Sequence, residues 1–185
     1  MKIEILDYED RWQAVKCAAM VTIGKKDGAY PSPGWKRKIL MAEHSPIREL
    51  RFTILMEDIP SFVSVHFTRH KNGVEHFVST QRTDRTGVDR NKLPQDNPVT
   101  HMLDINAQEL IYISRKRLCC QASPETREVW HAVINAVEEH EPELASVCVP
   151  ECVYRGFCPE MKSCGFASGK TYERMRQGYV GSSEN

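Results

Sequence analysis

One helix signal in the second half of the chain limits the folds that the sequence can adopt. Ser123-Pro124-Glu125 places a capping side chain before a proline, and proline is favoured in the first turn of a helix. The apolar residues that follow recur at helical spacing, at Val129, Trp130, Val133, Ile134 and Val137. The pattern stops before Pro142, so it predicts a long helix with a broad apolar face.

Two other segments alternate apolar and polar residues, as strands with one buried face do. They cover residues 1–6, with Ile3 and Ile5 on one face, and residues 51–57, with Phe52, Ile54 and Met56 on one face. Further helices are predicted at 10–20, 35–42, 61–70 and about 103–120, and loops at 24–34 and 83–98. The polar tail is expected to be loosely ordered at its end.

The charges of the chain balance, because its 25 basic and 25 acidic side chains give a formal net charge of zero. Bulk binding to nucleic acid needs a surplus of Lys and Arg, so we do not expect it. A small phosphorylated ligand remains compatible, since a few arginines placed locally suffice. No stretch approaches the roughly 18 apolar residues of a membrane span, and residues 1–8 show no signal peptide. The expected compartment is therefore the cytoplasm.

A cluster of cations and hydrogen-bond donors follows the predicted helix at 61–70. It contains Arg69-His70-Lys71 and then Ser79, Gln81, Arg82, Arg85 and Arg90. Such groups at the junction of a helix end and a polar loop can clamp a phosphate. The same residues could instead form a solvated basic face, balanced by Glu75, Asp84 and Asp89.

Three consecutive cations, Arg115, Lys116 and Arg117, lie near the end of the helix predicted at 103–120. Successive helical residues point about 100° apart, so the three cannot face the same way. Arg117 lies next to the buried side that Leu110 and Leu118 define. It could reach into a ligand pocket, or it could lay its aliphatic stem across apolar surface.

Four of the seven cysteines fall late in the chain, at Cys148, Cys152, Cys158 and Cys164. In a reducing compartment they are thiols or metal ligands rather than disulfides. The spacing of the first pair fits a zinc site, but the later spacings match no common zinc pattern, so these four are weak metal candidates. The chain has no H-E-x-x-H, P-loop, G-x-G-x-x-G or G-x-S-x-G motif.

Five segments in order resemble the flavin-dependent thymidylate synthases. The family signature R-H-R-x(7)-S-x-R-Y is similar to RHKNGVEHFVSTQR, at 69–82. The upstream H-S-x-x-E-H-x-x-F-T segment is similar to HSPIRELRFT, at 44–53. Asn106-Ala107 with Leu110 resembles the N-A-R-S-L helix of the family. Residues 117–127 resemble L-R-x-C-x-x-A-Q-W-E-I-R, and residues 152–165 resemble the cysteine-bearing tail of some members.

This resemblance implies an α/β (α+β) fold, with a mixed or antiparallel sheet and packed helices, over residues 1–165, followed by a polar tail at 166–185. It also implies a homotetramer with FAD at subunit interfaces. The implied reaction is thymidylate synthesis, in which a methylene group passes from methylenetetrahydrofolate to C5 of dUMP to give dTMP. Reduced flavin supplies the hydride, and NADPH reduces the flavin.

The resemblance further implies a role for each matching residue. The residues expected to contact or approach FAD are Arg69, His70, Lys71, Asn106, His44 and Ser45. The residues expected to bind the nucleotide are Ser79, Gln81, Arg82, Arg90 and Arg117. Arg117 and Ser79 are the expected catalytic residues, because a cation near the uracil carbonyls would stabilise the charge that develops when C5 attacks.

The chain departs from the family signatures at several ligand contacts. Lys71 replaces the third basic residue of the signature, Gln81-Arg82 stands at its R-Y, His66 replaces a glutamine and Gln108 replaces an arginine. The segment before Leu93-Pro94 is also shorter by about forty residues. A related flavin-dependent modification at C5 of another pyrimidine nucleotide therefore stays open. A cysteine-rich metal-binding module is the non-enzymatic alternative.

Overall fold

The computed structural model describes residues 1–26 and 29–181. Within them, four strands form one sheet, β1 (Lys2–Tyr8), β2 (Arg51–Pro60), β3 (Val74–Val78) and β4 (Pro98–Asn106). Their order is β1-β2-β4-β3, and every neighbouring pair is antiparallel. The α-helices are α1 (Trp12–Val21), α2 (Pro33–Met41), α3 (Ser61–Phe67), α4 (Thr83–Thr86), α5 (Ala107–Arg117), α6 (Pro124–Glu138), α7 (Pro142–Ala145), α8 (Glu151–Arg155) and α9 (Lys170–Gly181). An antiparallel sheet with packed helices confirms the predicted fold class.

The two predicted strands are confirmed as β1 and β2, and the sheet contains two more. β3 was not predicted, and the helix predicted from about Leu103 is wrong over its first four residues, which end β4. The error comes from apolar spacing that fits both periods, since Leu103 and Ile105 are buried on one strand face while Asp104 is not. The helix α5 begins only after Asn106, which caps it.

One face of the sheet forms the core of the protein. Phe52, Ile54 and Met56 of β2 are buried there beside the inward-facing residues of β4. Helix α6 covers this face with the apolar stripe that the sequence predicted, and its Trp130 ring packs 5.3 Å from the ring of Phe67 in α3. The core therefore fixes α3 and α5, the two helices that flank most of the residues expected to contact FAD, against the sheet.

The other helix predictions hold with shifted ends. Helix α2 begins at Pro33, two residues early, because Ser32 caps it and proline suits its first position. Helix α3 ends at Phe67, so His70 lies in the connection to β3 rather than in the helix. The predicted surface loop at 83–98 is largely exposed and contains α4 and a short 3₁₀ turn, Arg90–Lys92.

The polar segment at 166–185 includes a packed helix, α9. The buried guanidinium of Arg37 donates to the carbonyl of Tyr179 over 2.8 Å, and Arg176 donates to the carbonyl of Val153 over 2.6 Å. The expected loose end falls on residues 182–185, and part of the loop predicted at 24–34 falls on residues 27–28, all outside the described residues. Over the described ranges, no helix is both long and apolar enough to cross a membrane.

Candidate active site

Arg117 lies at the C-terminal end of α5, where its half-buried guanidinium holds the chain that follows α3. Its Nε donates to Nε2 of His70 over 3.1 Å, and its Nη2 donates to the carbonyl of His66 over 2.6 Å. Burial, and then the nearby charge of Arg69, lower the pKa of Arg117 from its ordinary value. These two bonds use two of the five N–H groups of the guanidinium, so both N–H groups of Nη1 and one of Nη2 remain for a ligand.

His70 is buried, and its contacts determine which ring nitrogen carries hydrogen. Nε2 accepts from Arg117, so the neutral ring carries its hydrogen on Nδ1. That nitrogen lies 3.6 Å from a carboxylate oxygen of buried Glu109 in the first turn of α5. Glu109, His70 and Arg117 therefore form a chain of polar contacts that joins the first turn of α5 to its C-terminal end.

A second series of polar contacts reaches His70 from the core. His76 on β3 places Nε2 at 2.7 Å from the carbonyl of His70, and a carbonyl can only accept, so Nε2 carries the hydrogen. Nδ1 of His76 then accepts from Nε2 of His101, over 3.0 Å. In turn, Nδ1 of His101 accepts from the hydroxyl of Ser64, also over 3.0 Å. These contacts fix the connection between α3 and β3 on which Arg69, His70 and Lys71 lie.

Asn106 joins the same connection to the start of α5. Its side chain accepts from the backbone N–H of Glu109 over 3.0 Å, and its own N–H donates to the carbonyl of Gly73. Gly73 has a φ of +71°, and a Cβ there would lie 2.4 Å from the side-chain nitrogen of Asn106. This position therefore requires glycine both for its backbone conformation and for the close approach.

An open cleft lies over this junction. One part, of about 380 Å³, is lined by Arg48, Asn72, Gly73, Asn106, Gln108 and Glu109. An adjoining part, of about 300 Å³, shares four of these residues and adds Glu43 and Tyr112. We call the two parts together the α5 cleft. Its residues come from three separate segments of the chain, at 43–48, 72–73 and 106–112, so only the folded protein forms it.

Glu43 occupies one rim of the α5 cleft in an unusual backbone conformation. Its φ of +49° lies in the left-handed region, which is costly for a residue with a side chain. Its carboxylate accepts from Gln108 over 2.7 Å and pairs with buried Arg115, whose guanidinium lies 3.6 Å from the ring centroid of Tyr154. Gln108, which departs from the family signature, is thereby engaged with a carboxylate instead of adding a cation to the cleft.

The remaining residues expected to contact FAD divide between exposed surface and the cleft margins. Arg69 and Lys71 are exposed, and neither makes an ion pair with any residue of the described ranges. Arg69 lines a separate depression of about 280 Å³ together with His66. His44 and Ser45 are exposed at the start of a 3₁₀ turn, Ser45–Glu49, in which Arg48 is the residue that lines the α5 cleft.

Ser79 and Gln81, two residues expected to bind the nucleotide, line a different pocket of about 220 Å³. The backbone of Ser79 pairs with Thr100, and its Oγ accepts from the N–H of Thr100 over 3.1 Å, so its hydroxyl hydrogen is available to donate. Nε2 of Gln81 is buried with no hydrogen-bond partner among the described residues. The lining of one pocket thus includes two side chains with unused donor groups, which suits a ligand with acceptor oxygens.

Two arginines expected to bind the nucleotide lie beyond this pocket, and only one of them, Arg82, makes an ion pair within the described ranges. Arg82 makes two bonds to the carboxylate of Asp84, at 3.0 and 2.8 Å, with both side chains more than half exposed. This exposed ion pair agrees with the alternative from the sequence, in which these residues form a solvated basic face balanced by carboxylates. The side chain of Arg90 is exposed and makes no ion pair with the rest of the described chain. Arg90 is therefore the available cation on the surface loop.

The four late cysteines do not share one set of neighbours. Cys148 is buried beside Ser114, and burial raises the pKa of its thiol to about 12. Cys152 lies near Cys119 and Cys158 instead. Across residues 1–26 and 29–181, no group of three or more His, Cys, Asp or Glu side chains is placed to hold a metal ion.

Sequence reasoning missed several residues of the α5 cleft, namely Arg48, Asn72, Glu109 and Tyr112. Arg48 and Glu109 lie inside segments that resemble family signatures, so position within those segments was the available signal. Tyr112 carried no such signal, because its exposure on an otherwise largely buried helix is visible only in the fold.

Solved structures with a similar fold support the resemblance seen in the sequence. Two are crystal structures of ThyX, a flavin-dependent thymidylate synthase from Helicobacter pylori, with FAD and dUMP. They give TM-scores of 0.65 and 0.66 at 11% identity, covering 80% of this chain and 100% and 99% of theirs. A third is a UMP/dUMP methylase, PolB from Streptomyces cacaoi, bound with 5-Br dUMP, with a TM-score of 0.64 and 16% identity over 84% of this chain and 95% of that chain.

No protein-family model and no curated protein matches the sequence. The similarity is therefore one of fold, and it confirms the predicted fold. The chain has the fold of the flavin-dependent thymidylate synthases.

Proposed function

We propose that the protein is a flavin-dependent thymidylate synthase that makes dTMP from dUMP, with methylenetetrahydrofolate as the one-carbon donor and NADPH as the reductant. The observation that carries this proposal is the contact between Arg117 and His70, in a chain whose fold matches enzymes crystallised with FAD and dUMP. Two residues 47 positions apart, both expected at the ligand site, are hydrogen-bonded to each other. As in the resemblance, we propose that the active enzyme is a homotetramer.

The residues around the α5 cleft fit FAD in kind. Asn72 and Gln108 provide amide groups, Arg48 provides a cation, and Gly73 lets two backbone segments approach closely. Arg69 and Lys71 add two exposed cations that no carboxylate of the described ranges neutralises, which suits the diphosphate of a dinucleotide. When bound, the reduced cofactor supplies a hydride to the transferred one-carbon group.

Arg117 is suited to act on the pyrimidine. His66 and His70 hold its guanidinium at two points, so its remaining N–H groups, two on Nη1 and one on Nη2, belong to a fixed rather than a mobile side chain. A fixed cation close to a uracil carbonyl stabilises enolate character of the ring, and with it the electron density that makes C5 nucleophilic, without reorganisation at the moment of reaction. His70 is in this view a positioning residue for Arg117 as well as a candidate FAD contact.

Ser79, Gln81 and Arg90 are proposed to bind the nucleotide from the opposite end of β3. The hydroxyl of Ser79 and the unpaired amide of Gln81 can donate to acceptor oxygens, and Arg90 can pair with a phosphate. Arg82 can join them only by giving up Asp84. Because a solvent-exposed ion pair is worth about 1 kcal/mol or less, that exchange costs little.

A second candidate is C5 modification of another pyrimidine nucleotide. It is favoured by the neutral Gln81 at a position where the family signature has arginine, and by the similarity of the fold to a UMP/dUMP methylase. The two candidates share the flavin chemistry and the role of Arg117, and they differ in the nucleotide that is accepted.

Purified protein provides the test of this proposal. We expect a flavin absorbance band in the visible region and, with NADPH and methylenetetrahydrofolate, conversion of dUMP to a product heavier by one CH₂. Parallel reactions with UMP and dCMP separate the two candidates. A folded, FAD-loaded protein that leaves dUMP unchanged and methylates another nucleotide would exclude the first. A colourless protein with stoichiometric zinc would instead support the metal-binding module.

A further inference from the structure

Tyr112 is an exposed aromatic residue on a helix whose other large side chains are mostly buried. Its side chain is 45% exposed and lines the α5 cleft. The ring lies edge-on to His70, with centroids 5.8 Å apart and an interplanar angle of 76°. A rigid aromatic ring beside a cleft can stack on a flat ligand at low entropic cost.

The start of α5 is poorly suited to bind a phosphate, although helix N-termini often do. The N–H of Ala107 donates to the carbonyl of Leu50 over 2.9 Å, and that of Glu109 donates to the side chain of Asn106. The carboxylate of Glu109 also lies in this first turn and opposes an anion there. Glu43 adds a second carboxylate at the other rim. This part of the cleft thus suits a neutral, hydrogen-bonding ring.

We propose that Tyr112 is the stacking platform for the planar ring of the ligand that enters the α5 cleft. This inference rests on the proposed function, under which the ring is the isoalloxazine of FAD. Asn72 and Gln108 line the same cleft and can bond the polar edge of that ring. The phosphates then lie outside this end of the cleft, on the side where Arg69 and Lys71 are exposed. Tyr112 is here a cofactor-binding residue that no sequence signature indicated.

The test compares ring binding with phosphate binding in matched variants. Affinities for riboflavin, FAD and ADP are measured by titration for the wild type, Tyr112→Ala, Tyr112→Phe and the control Phe157→Ala. Phe157 is 59% exposed and lines none of the clefts described above, so its loss should change no affinity. Melting temperatures establish that each variant is folded. Fluorescence of bound riboflavin provides a direct report, because an aromatic platform quenches flavin emission.

We expect Tyr112→Ala to weaken the binding of riboflavin and of FAD by the same factor. That factor should be about tenfold, the size of effect that follows the loss of one stacked aromatic contact. Tyr112→Phe should stay within about twofold of the wild type, ADP binding should be unchanged, and emission of the bound flavin should rise in Tyr112→Ala. If Tyr112→Ala does not fold, Tyr112→Leu keeps the apolar bulk and should show the same loss of quenching.

The outcomes separate this inference from the proposed function. If the wild type binds riboflavin and FAD while Tyr112→Ala binds both equally well, the stacking role is wrong and the proposed function stands. If Tyr112→Ala weakens ADP as much as FAD, the residue contacts the phosphate side, and the inference is again wrong. If the wild type binds neither flavin, the proposed function fails and the inference fails with it.

Discussion

The stability of this protein should fall steeply as the solution is acidified, and His101 should account for much of the loss. His101 is fully buried on β4, where its imidazole accepts from Ser64 and donates to His76. Burial, and then the neighbouring His76, lower the pKa of His101 from its ordinary 6.5 to about 4. The folded protein thus resists protonation of a ring that the unfolded chain protonates readily.

The sign and size of the effect follow from these two pKa values. Because the folded value is the lower one, the full stability is present above about pH 6.5 and is lost as the pH falls toward about 4. Linkage gives a loss of about 2 kcal/mol between roughly pH 8 and pH 5, and about 3 kcal/mol by pH 4. His66 and His131 add losses of the same sign, since burial lowers the pKa of each.

Urea unfolding between about pH 8 and pH 5 measures this loss in the wild type and in His101→Gln, since glutamine keeps a hydrogen-bonding group but does not titrate in this range. His101→Gln should lose about 2 kcal/mol less than the wild type over that interval. The matched control His44→Gln removes an exposed imidazole and should keep the wild-type dependence. Equal slopes for His101→Gln and the wild type would refute the argument. Should His101→Gln not fold, NMR titration of the wild-type imidazole must show no protonation of His101 near pH 6.5.

Three further predictions concern the candidate site. Arg117→Ala should abolish turnover while FAD stays bound, measured by product formation and flavin absorbance; loss of FAD with retained nucleotide binding would contradict the proposed role. Asn106→Ala should lower the free energy of unfolding, measured with urea, by about 1 kcal/mol, because α5 loses its cap. Asn106→Asp should keep most of the wild-type stability. An unchanged urea midpoint for Asn106→Ala would show that the cap contributes little. Gly73→Ala should lower the free energy of unfolding by more than Asn106→Ala does, roughly 2 kcal/mol, because φ is positive and a Cβ would collide with the side chain of Asn106. A Gly73→Ala variant more stable than the wild type would contradict this geometry.

Local patterns in the sequence were enough to predict the elements with a single clear period. Helix α6 and strand β2 were correct because each has one apolar face, and the spacing of that face is visible without knowledge of any partner. The end of strand β4 was mistaken for the start of α5, since apolar residues recur at 103, 105, 107, 110 and 111, through the junction between the two elements. The strand is stabilised there by pairing with β2 and β3, an interaction that no local window contains.

For the candidate site, too, some features could be predicted from local sequence and others could not. The sequence alone was enough to identify candidate residues for the chemistry, since Arg69-His70-Lys71, Asn106 and Arg117 stand in short motifs that could be compared with a known family. What these residues contact became visible only in the folded structure. Arg117 reaches His70 because α5 and the connection after α3 pack on one sheet, and Gln108 is occupied by Glu43, which lies 65 positions away. Contacts between distant segments depend on packing and burial, so neither the α5 cleft nor the exposure of Tyr112 could be foreseen.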